Sequence, residues 1–314
     1  MGLSSPAGTA AGTAPRAVRA RLEGRRDVTG TLFKFGMLSA LGLSFLILAT
    51  LLVTISSDGV GVLTERFTTF WNGTLRSLPD EAGIHQAIRG TFWIGVFVVA
   101  LAFPIGVGAA VYLEEYAPRS RFTRFIDINI RNLAGVPSIV YGILGFAIFV
   151  KTLGDLTGGR SVISAGITLA ILVLPIVIIT AAESIRAVPG ALREASFGVG
   201  ATRWETIRHH VLPYAAPGIL TGTVLSLARA LGEAAPLILV GAVSNALGSD
   251  PGLLDVGSLQ DRFTAMPSII TDWAGRPQPG FQENTAAAII ILMAVVLAFN
   301  GAAIALRNRY EKQR

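Results

Sequence analysis

Long stretches without a charged side chain constrain this chain more than any other feature. Five such runs lie between charged residues, and each has about the 20 residues that a helix needs to cross the hydrocarbon core of a bilayer. The runs are Phe35–Ser57, Gly90–Leu113, Asn132–Val150, Ser161–Ala182 and Asn284–Leu306. A sixth run, Tyr214–Val243, is apolar apart from Arg229 and Glu233. The sequence therefore predicts an all-α membrane protein with six transmembrane helices.

The overall composition agrees with a membrane protein. Hydrophobic residues make up 52% of the 314 residues and charged residues only 15%, and the mean hydropathy is +0.59. A soluble domain of this length carries more charge. Because the chain has no cysteine, a disulfide framework and a cysteine-ligated metal site are both excluded. The net charge of +6 could suggest nucleic-acid binding, but the positions of the charges favour a role in membrane orientation.

The distribution of Lys and Arg predicts which side of the membrane each loop faces. With the N-terminus placed inside, eighteen of the 26 Lys and Arg lie in the N-terminal tail, loop 114–131, loop 183–213 or the C-terminus, and seven lie on the other side. The remaining one is Arg229. We therefore expect both termini and loop 183–213 to face the cytoplasm, and residues 58–89 and 241–283 to form two outer loops.

The first 30 residues differ in composition from the rest of the chain. They are rich in Ala, Gly, Thr and Arg and lack the apolar content that a core requires. We expect residues 1–30 to be a disordered, basic cytoplasmic tail. No stretch outside the six runs resembles a second soluble domain, so residues 31–314 are predicted to form a single transmembrane domain.

The polar loop 183–213 is predicted to fold as a helical hairpin. Pro189 suits the first turn of a first helix, where its missing N–H costs little, and Gly198 and Gly200 are expected to end that helix. A stripe of small and apolar side chains at helical spacing indicates the inward face of this helix. The stripe consists of Leu192, Ala195, Ser196 and Val199.

The second helix of the hairpin has its own start and stop signals. Thr202 and Glu205 have the spacing of a capping box, in which the threonine oxygen caps the helix and the glutamate reaches back to the backbone. Pro213 is expected to end the helix. The apolar face is predicted to consist of Trp204, Ile207 and Val211. By periodicity alone, such a hairpin is typical of an amphipathic connector lying on the membrane surface.

Six positions of the hairpin resemble the coupling signature of ABC-transporter permeases. That signature reads Glu-Ala-Ala, three residues, Gly, nine residues, and Ile-x-Leu-Pro. The chain keeps this spacing with two departures, Ser196 for the last alanine and His210 for the isoleucine. The matching positions are Glu194, Ala195, Ser196, Gly200, Leu212 and Pro213. In that family the loop docks into a groove on a cytoplasmic ATPase, so the resemblance implies an ATPase-coupling loop.

Arg229 and Glu233 are the two charges inside the Tyr214–Val243 run. They are four residues apart and would share one helix face, and Arg229 would lie about 22 Å along the helix from Tyr214. A charge at that depth costs at least about 2.5 kcal/mol, so it should face protein or water and be paired. Two interpretations are open: a self-neutralising structural pair, or a substrate site at which the arginine binds an oxyanion.

Three further segments resemble the phosphate-specific ABC permeases. SLARALGEAAPLILVGA is similar to their fifth helix, GVGAAVYLEEYAP to the end of their second helix, and RNLAGVPSIVYGILG to their third helix. The match covers about residues 83–309. LEEYAP and NLAGVPSIVYG are typical of the A-type (PstA-like) subunit, within the binding-protein-dependent, MetI-like family of type I importers.

The resemblance implies a permease subunit of an importer for inorganic phosphate in the inner (cytoplasmic) membrane, with Arg229 and Glu233 on the substrate path. The implied partners are a second, C-type permease subunit, two ATPase subunits, an extracytoplasmic phosphate-binding protein and membrane lipid. This chain is expected to hydrolyse no ATP, because it lacks the G-x-x-x-x-G-K-[ST] signature. The resemblance likewise implies no catalytic residue, cofactor or metal in this chain. ATP and Mg²⁺ would be bound by the partner ATPase. A permease for another oxyanion, such as phosphonate or molybdate, and a non-transporting membrane scaffold are the alternatives.

Overall fold

A computed structural model describes residues 28–243 and 252–311, and these residues form helices and connecting segments without any β-strand. The helices are α1 (Val28–Glu65), α2 (Phe67–Asn72), α3 (His85–Val111), α4 (Arg121–Ala134), α5 (Ser138–Gly145), α6 (Gly154–Thr157), α7 (Val162–Arg186), α8 (Gly190–Gly198), α9 (Arg203–Thr206), α10 (Leu212–Gly232), α11 (Ala235–Val240), α12 (Met266–Ala274) and α13 (Pro279–Glu311). Three short π-helical segments also occur: Tyr112–Tyr116 extends α3, Phe146–Thr152 extends α5, and Ile207–Val211 joins α9 to α10.

Five helical stretches are long and apolar enough to cross a membrane. They are Thr29–Glu65, His85–Tyr116, Val162–Arg186, Arg203–Gly232 and Pro279–Gly301. A sixth span exists if α4 and the extended α5 are counted together, although these two helices meet at an angle of 98°. The described residues therefore form an all-helical protein with five or six candidate spans, as a multi-pass membrane protein requires.

The third predicted span, Asn132–Val150, is wrong as a single helix. Asn132 lies in the last turn of α4, the helix breaks at residues 135–137, and Pro137 caps the start of α5 with φ −56° and ψ 137°. A proline disfavours helical backbone at the residue before it, which accounts for the break. The α4 helix contains no buried residue, so it is an amphipathic surface helix rather than part of a straight span.

The chain divides into two units, residues 1–54 and 55–314. Of the first unit, residues 1–27 lie outside the described residues, so the predicted tail is described only at its last three positions, where α1 begins at Val28. The apolar side chains between Leu32 and Val53 are exposed. Exposed apolar side chains along a helix are what lipid contact requires.

Within the second unit, glycines allow the long helices to approach closely. A β-carbon added at Gly106 of α3 would come 2.6 Å from Val177 of α7, and one added at Gly142 of α5 would come 2.7 Å from the backbone of Pro236 in α11. Neither contact is possible with a larger residue unless a helix moves. Glycine therefore permits tight helix packing at these two positions.

The two segments predicted as outer loops contain helical structure. Residues 58–65 complete α1, and α2 follows. In the second segment, residues 244–251 lie outside the described residues, and α12 is largely buried around Met266, Ile269 and Trp273. Arg89 of α3 holds residues 252–258 by donating to the carbonyls of Gly252 (3.1 Å) and Asp255 (2.8 Å). These segments are therefore packed parts of the second unit.

Candidate coupling hairpin and substrate path

The hairpin predicted in loop 183–213 is present, with α8 as its first arm and α9 as the start of its second. The capping box at the second arm is confirmed. The backbone N–H of Glu205 donates to Thr202 Oγ1 at 3.3 Å, and the backbone N–H of Thr202 donates to the Glu205 carboxylate at 2.8 Å. These reciprocal bonds satisfy backbone donors that the helix itself leaves unpaired.

Gly200 forms the turn between the two arms. Its φ is +87°, and such a φ favours glycine because a β-carbon would collide with the backbone. Around it, no other atom of the described chain comes within 4 Å of where a β-carbon would lie. The backbone conformation at residue 200, and not crowding by other parts of this chain, therefore favours glycine at this position.

A buried hydrogen bond joins the two arms. Ser196 Oγ lies 2.8 Å from Thr206 Oγ1, and both residues are buried. Thr206 also donates to the carbonyl of Thr202 at 3.0 Å, so the serine is the donor in the bond between the arms. The serine that departs from the family's alanine thus has a polar partner on the opposite arm, which the sequence analysis did not identify.

Three features of the predicted hairpin are wrong. Pro189 precedes α8 as its cap instead of lying in its first turn. Pro213 does not end the second arm: α9 continues through the π segment Ile207–Val211 into α10. The wider π turn just before Pro213 relieves the clash that a proline ring otherwise makes with the preceding turn. The second arm is therefore one continuous helix with the membrane-spanning segment that follows it.

The apolar faces of the two arms are the third feature that differs from the prediction. Leu192, Ile207 and Val211 face inward as predicted, whereas Ala195 is exposed. Val199 is 87% exposed and Trp204 is 54% exposed. Together with Phe197, which is 47% exposed, they form an apolar tip at the end of the hairpin. An apolar group of this kind on a polar loop is typical of a surface that another protein covers.

The remaining signature positions lie around this tip or at the start of α10. Glu194, Ala195 and His210 are exposed, whereas Leu212 is half-buried. The exposed position of His210 means that the imidazole replaces isoleucine at a surface site and not inside this chain.

The predicted pair Arg229 and Glu233 is in contact, but the helix that was expected to carry both is broken. The α10 helix ends at Gly232, and Glu233 has extended backbone with φ −81° and ψ 114°. Pro236 explains the break, because it has no N–H to donate to the carbonyl of Gly232 and its ring would clash with that carbonyl. The predicted run Tyr214–Val243 is thus two helices, α10 and α11, joined at residues 233–234.

The ion pair at this break leaves much of the arginine accessible. Arg229 Nε lies 3.4 Å from Glu233 Oε1, and the side chains are 49% and 19% exposed. Within the described residues, the terminal nitrogens of Arg229 make no hydrogen bond. A guanidinium held through Nε presents its two terminal nitrogens to a planar or tetrahedral oxyanion.

A groove of about 610 Å³ lies between α7 and α10. Its α10 side includes Tyr214, Thr221 and Leu225, and Thr180 and Ser184 line its α7 side. Because Thr221, Leu225 and Arg229 are spaced four residues apart, they lie on the same side of α10. Arg229 therefore lies one helical turn beyond Leu225, on the side of α10 that lines the groove.

The helical spans define a multi-pass membrane protein, and the hairpin and the groove are its candidate functional sites. Residues 102–312 match the model of the family described as binding-protein-dependent transport system inner membrane component. The chain belongs to this family.

Named relatives agree with the family assignment. The chain is 35% identical over 242 residues to a phosphate transport system permease protein PstA 1 of Mycobacterium tuberculosis, covering 76% of each chain. It is 34% identical over 267 residues to PstA of Mycobacterium leprae, covering 82% of this chain and 84% of the relative. Among solved structures, a bacterial alginate ABC transporter in complex with an alginate-bound periplasmic protein has a TM-score of 0.65 at 15% identity, over 90% of this chain and 96% of that one. This last likeness is one of fold alone.

Proposed function

We propose that this chain is the A-type permease subunit of an ABC importer that moves inorganic phosphate across the inner (cytoplasmic) membrane. The observation that carries the proposal is the position of Arg229, which lies at a helix break on the groove side of α10 and is paired with Glu233 through Nε only. Irregular backbone at membrane depth is tolerated where it lines a cavity or is covered by protein. The relatives named as phosphate transport permeases support phosphate as the anion.

The chemistry of the pair favours an oxyanion that carries a proton. Arg229 supplies a permanent positive charge and donors with fixed directions. Glu233 accepts hydrogen bonds and would repel a fully deprotonated anion, whereas the O–H of monohydrogen phosphate could donate to it. Sulfate has no such proton at neutral pH. The pair would therefore select phosphate over sulfate by hydrogen bonding as well as by charge.

The apolar tip of the hairpin supports coupling to a separate ATPase. Phe197, Val199 and Trp204 are exposed beside the signature residues Glu194 and Ala195, and burial of such side chains is the main source of affinity in a protein interface. In this proposal the partner ATPase binds ATP and Mg²⁺, and the hairpin transmits its movement. The hairpin and both termini face the cytoplasm, and an extracytoplasmic binding protein and a C-type permease complete the complex.

Uptake of labelled phosphate tests this function. Cells that lack the chain should lose high-affinity phosphate uptake and regain it with the native chain, and excess sulfate, molybdate or phosphonate should not compete. If another anion were taken up by the chain while phosphate uptake stayed unchanged, the substrate would be that anion. If no solute uptake depended on the chain although it bound an ATPase, the scaffold alternative would replace the proposal.

A further inference from the structure

Three consecutive residues at the end of α3 hold three arginines around the coupling hairpin. The residues belong to the π segment Tyr112–Tyr116, and each contacts an arginine of a different element. Glu114 forms an ion pair with Arg186 at the end of α7, Glu115 with Arg193 in the first arm of the hairpin, and the Tyr116 ring stacks with Arg203 in the second arm. We call Glu114, Glu115 and Tyr116 the α3 clamp.

The middle contact is the most sheltered of the three. Arg193 donates through Nη2 and Nε to Glu115 Oε1 at 2.7 and 3.1 Å, and the two side chains are only 23% and 11% exposed. Arg193 also donates to the backbone carbonyls of Val188 at 2.7 Å and Ile185 at 2.9 Å. Charge-assisted bonds that share one guanidinium fix the position of that group far more firmly than an exposed ion pair does.

The third contact reaches the other arm. The guanidinium carbon of Arg203 lies 5.5 Å from the centre of the Tyr116 ring, within the range of a cation–π interaction. Arg203 is the first residue of α9, directly after the capping residue Thr202. The clamp therefore contacts both arms of the hairpin, which are themselves joined by the bond between Ser196 and Thr206.

The clamp connects the hairpin to α3, a helix that is not adjacent to the hairpin along the chain. Along the chain, the hairpin follows α7 and continues into α10, so a displacement of the hairpin reaches those two helices through the backbone. The α3 helix packs against both α7 and α10. Side-chain contacts of the clamp, and of the buried cluster that includes Ala110 and Val188, link α3 to the hairpin.

We propose that Glu115, with Glu114 and Tyr116, is a positioning element that makes α3 move with the hairpin when the ATPase displaces it. The inference rests on the proposed coupling function, and it names the contacts through which movement of the hairpin would reach the membrane helices. Without the clamp, the hairpin would still bind the ATPase through its exposed apolar tip, but α3 would no longer follow α7 and α10. ATP hydrolysis would then continue with less transport.

The test uses the assembled complex in proteoliposomes with Glu115→Gln, which removes the charge and keeps the volume. Three quantities are measured: the ATPase subunits retained per permease, the rate of ATP hydrolysis, and the phosphate imported per ATP. We expect normal retention of the ATPase, continued hydrolysis and a fall of about fivefold or more in phosphate imported per ATP, the lower end of typical coupling between two sites. Asp272→Asn is the matched control, because Asp272 in α12 pairs at 2.7 Å with Arg276, two residues after the end of that helix, in a part of the chain outside the hairpin.

Two further comparisons separate a positioning role from a purely structural one. If Glu115 acts through Arg193, the double variant Glu115→Gln with Arg193→Gln should import no less phosphate per ATP than the more damaging of the two single variants. Tyr116→Phe keeps the ring and should preserve the import ratio, whereas Tyr116→Leu should lower it. Tyr116 is 40% exposed, so neither change leaves a hole in a core.

Two results would overturn the proposal. One is a Glu115→Gln complex that imports as much phosphate per ATP as the native complex. The other is a Glu115→Gln complex that transports less phosphate solely because it has lost its ATPase subunits. Failure of the proposed function would look different, because the native complex itself would then import no phosphate.

Discussion

The carboxylate of Glu233 lies 3.4 Å from Arg229 Nε although α10 ends at Gly232, between the two residues. The pair therefore bridges the end of a helix instead of lying along its side. Because Glu233 belongs to the connection between α10 and α11, the position of the guanidinium depends on the backbone of the break as well as on charge. A change of conformation at residues 233–234 would reorient Arg229, which links helix movement to the proposed anion site.

Gly200→Ala is expected to weaken coupling without disturbing the membrane helices. At φ +87° an alanine is strained by about 1 kcal/mol or more, so the turn between the arms should shift. Recovery of the ATPase with the purified permease and phosphate uptake should both fall. Gly198→Ala is the control, because Gly198 lies within α8 and has open space around it. Equal recovery and uptake for the two variants would contradict this account of the turn.

Thr206→Val is expected to destabilise the hairpin more than Ser196→Ala. Valine leaves the buried hydroxyl of Ser196 without its partner, at a cost of about 1–3 kcal/mol. After Ser196→Ala, Thr206 keeps its bond to the carbonyl of Thr202. Thermal unfolding of the purified complex should show this order, and adding Ser196→Ala to Thr206→Val should restore stability. The reverse order would mean that the hydrogen bond between the arms is not the source of the effect.

Trp204→Ala should lower the affinity of the ATPase for the permease while leaving the stability of the permease unchanged. The indole is 54% exposed in this chain, and in the proposed function it contacts the ATPase. Aromatic anchors of this kind commonly contribute about 2 kcal/mol or more to binding. Leu156→Ala, at a position 74% exposed outside the hairpin, serves as the control in a binding titration. If Trp204→Ala bound the ATPase with unchanged affinity, the ATPase would not bind at this part of the hairpin.

The proposed orientation can be tested with single cysteines, because the native chain has none. In intact cells, Arg208→Cys in the hairpin should be protected from a membrane-impermeant thiol reagent, and Asp261→Cys should be labelled. Both positions are exposed in the structure, so protection would reflect the membrane and not burial. Permeabilising the cells should make both sites reactive, and the opposite pattern in intact cells would reverse the topology.

Features that depend on neighbouring residues were predictable from the sequence. The capping box of Thr202 and Glu205 and the end of the first arm at Gly198 follow from short-range sterics and hydrogen bonding, and both are present. The apolar runs likewise predicted most of the long helices, because membrane-crossing length is a property of one segment.

Features that depend on packing or on the end of a helix were not predictable in the same way. Val199 and Trp204 fit the periodicity of an inward face, yet periodicity cannot tell a face covered by this chain from one left for another protein. The effects of Pro137 and Pro213 also differ. Pro137 follows a helix break, whereas the π turn before Pro213 lets the helix continue. The partners of the three clamp residues come from distant parts of the chain, so no local pattern indicates them.

The central claim is that Arg229 binds the transported anion. Replacing Arg229 alone would leave the carboxylate of Glu233 uncompensated, so the loss of transport could reflect instability. The double variant Arg229→Met with Glu233→Gln removes both charges and roughly keeps the side-chain volumes. Arg229→Lys keeps the charge but loses the planar arrangement of donors, and should give intermediate uptake.

Uptake of labelled phosphate by the double variant is therefore the most direct measurement. Expression and ATPase association are measured on the same membranes. The account predicts a normally expressed and assembled complex that imports almost no phosphate. Near-native uptake by the double variant would contradict it and reduce Arg229 and Glu233 to a structural ion pair.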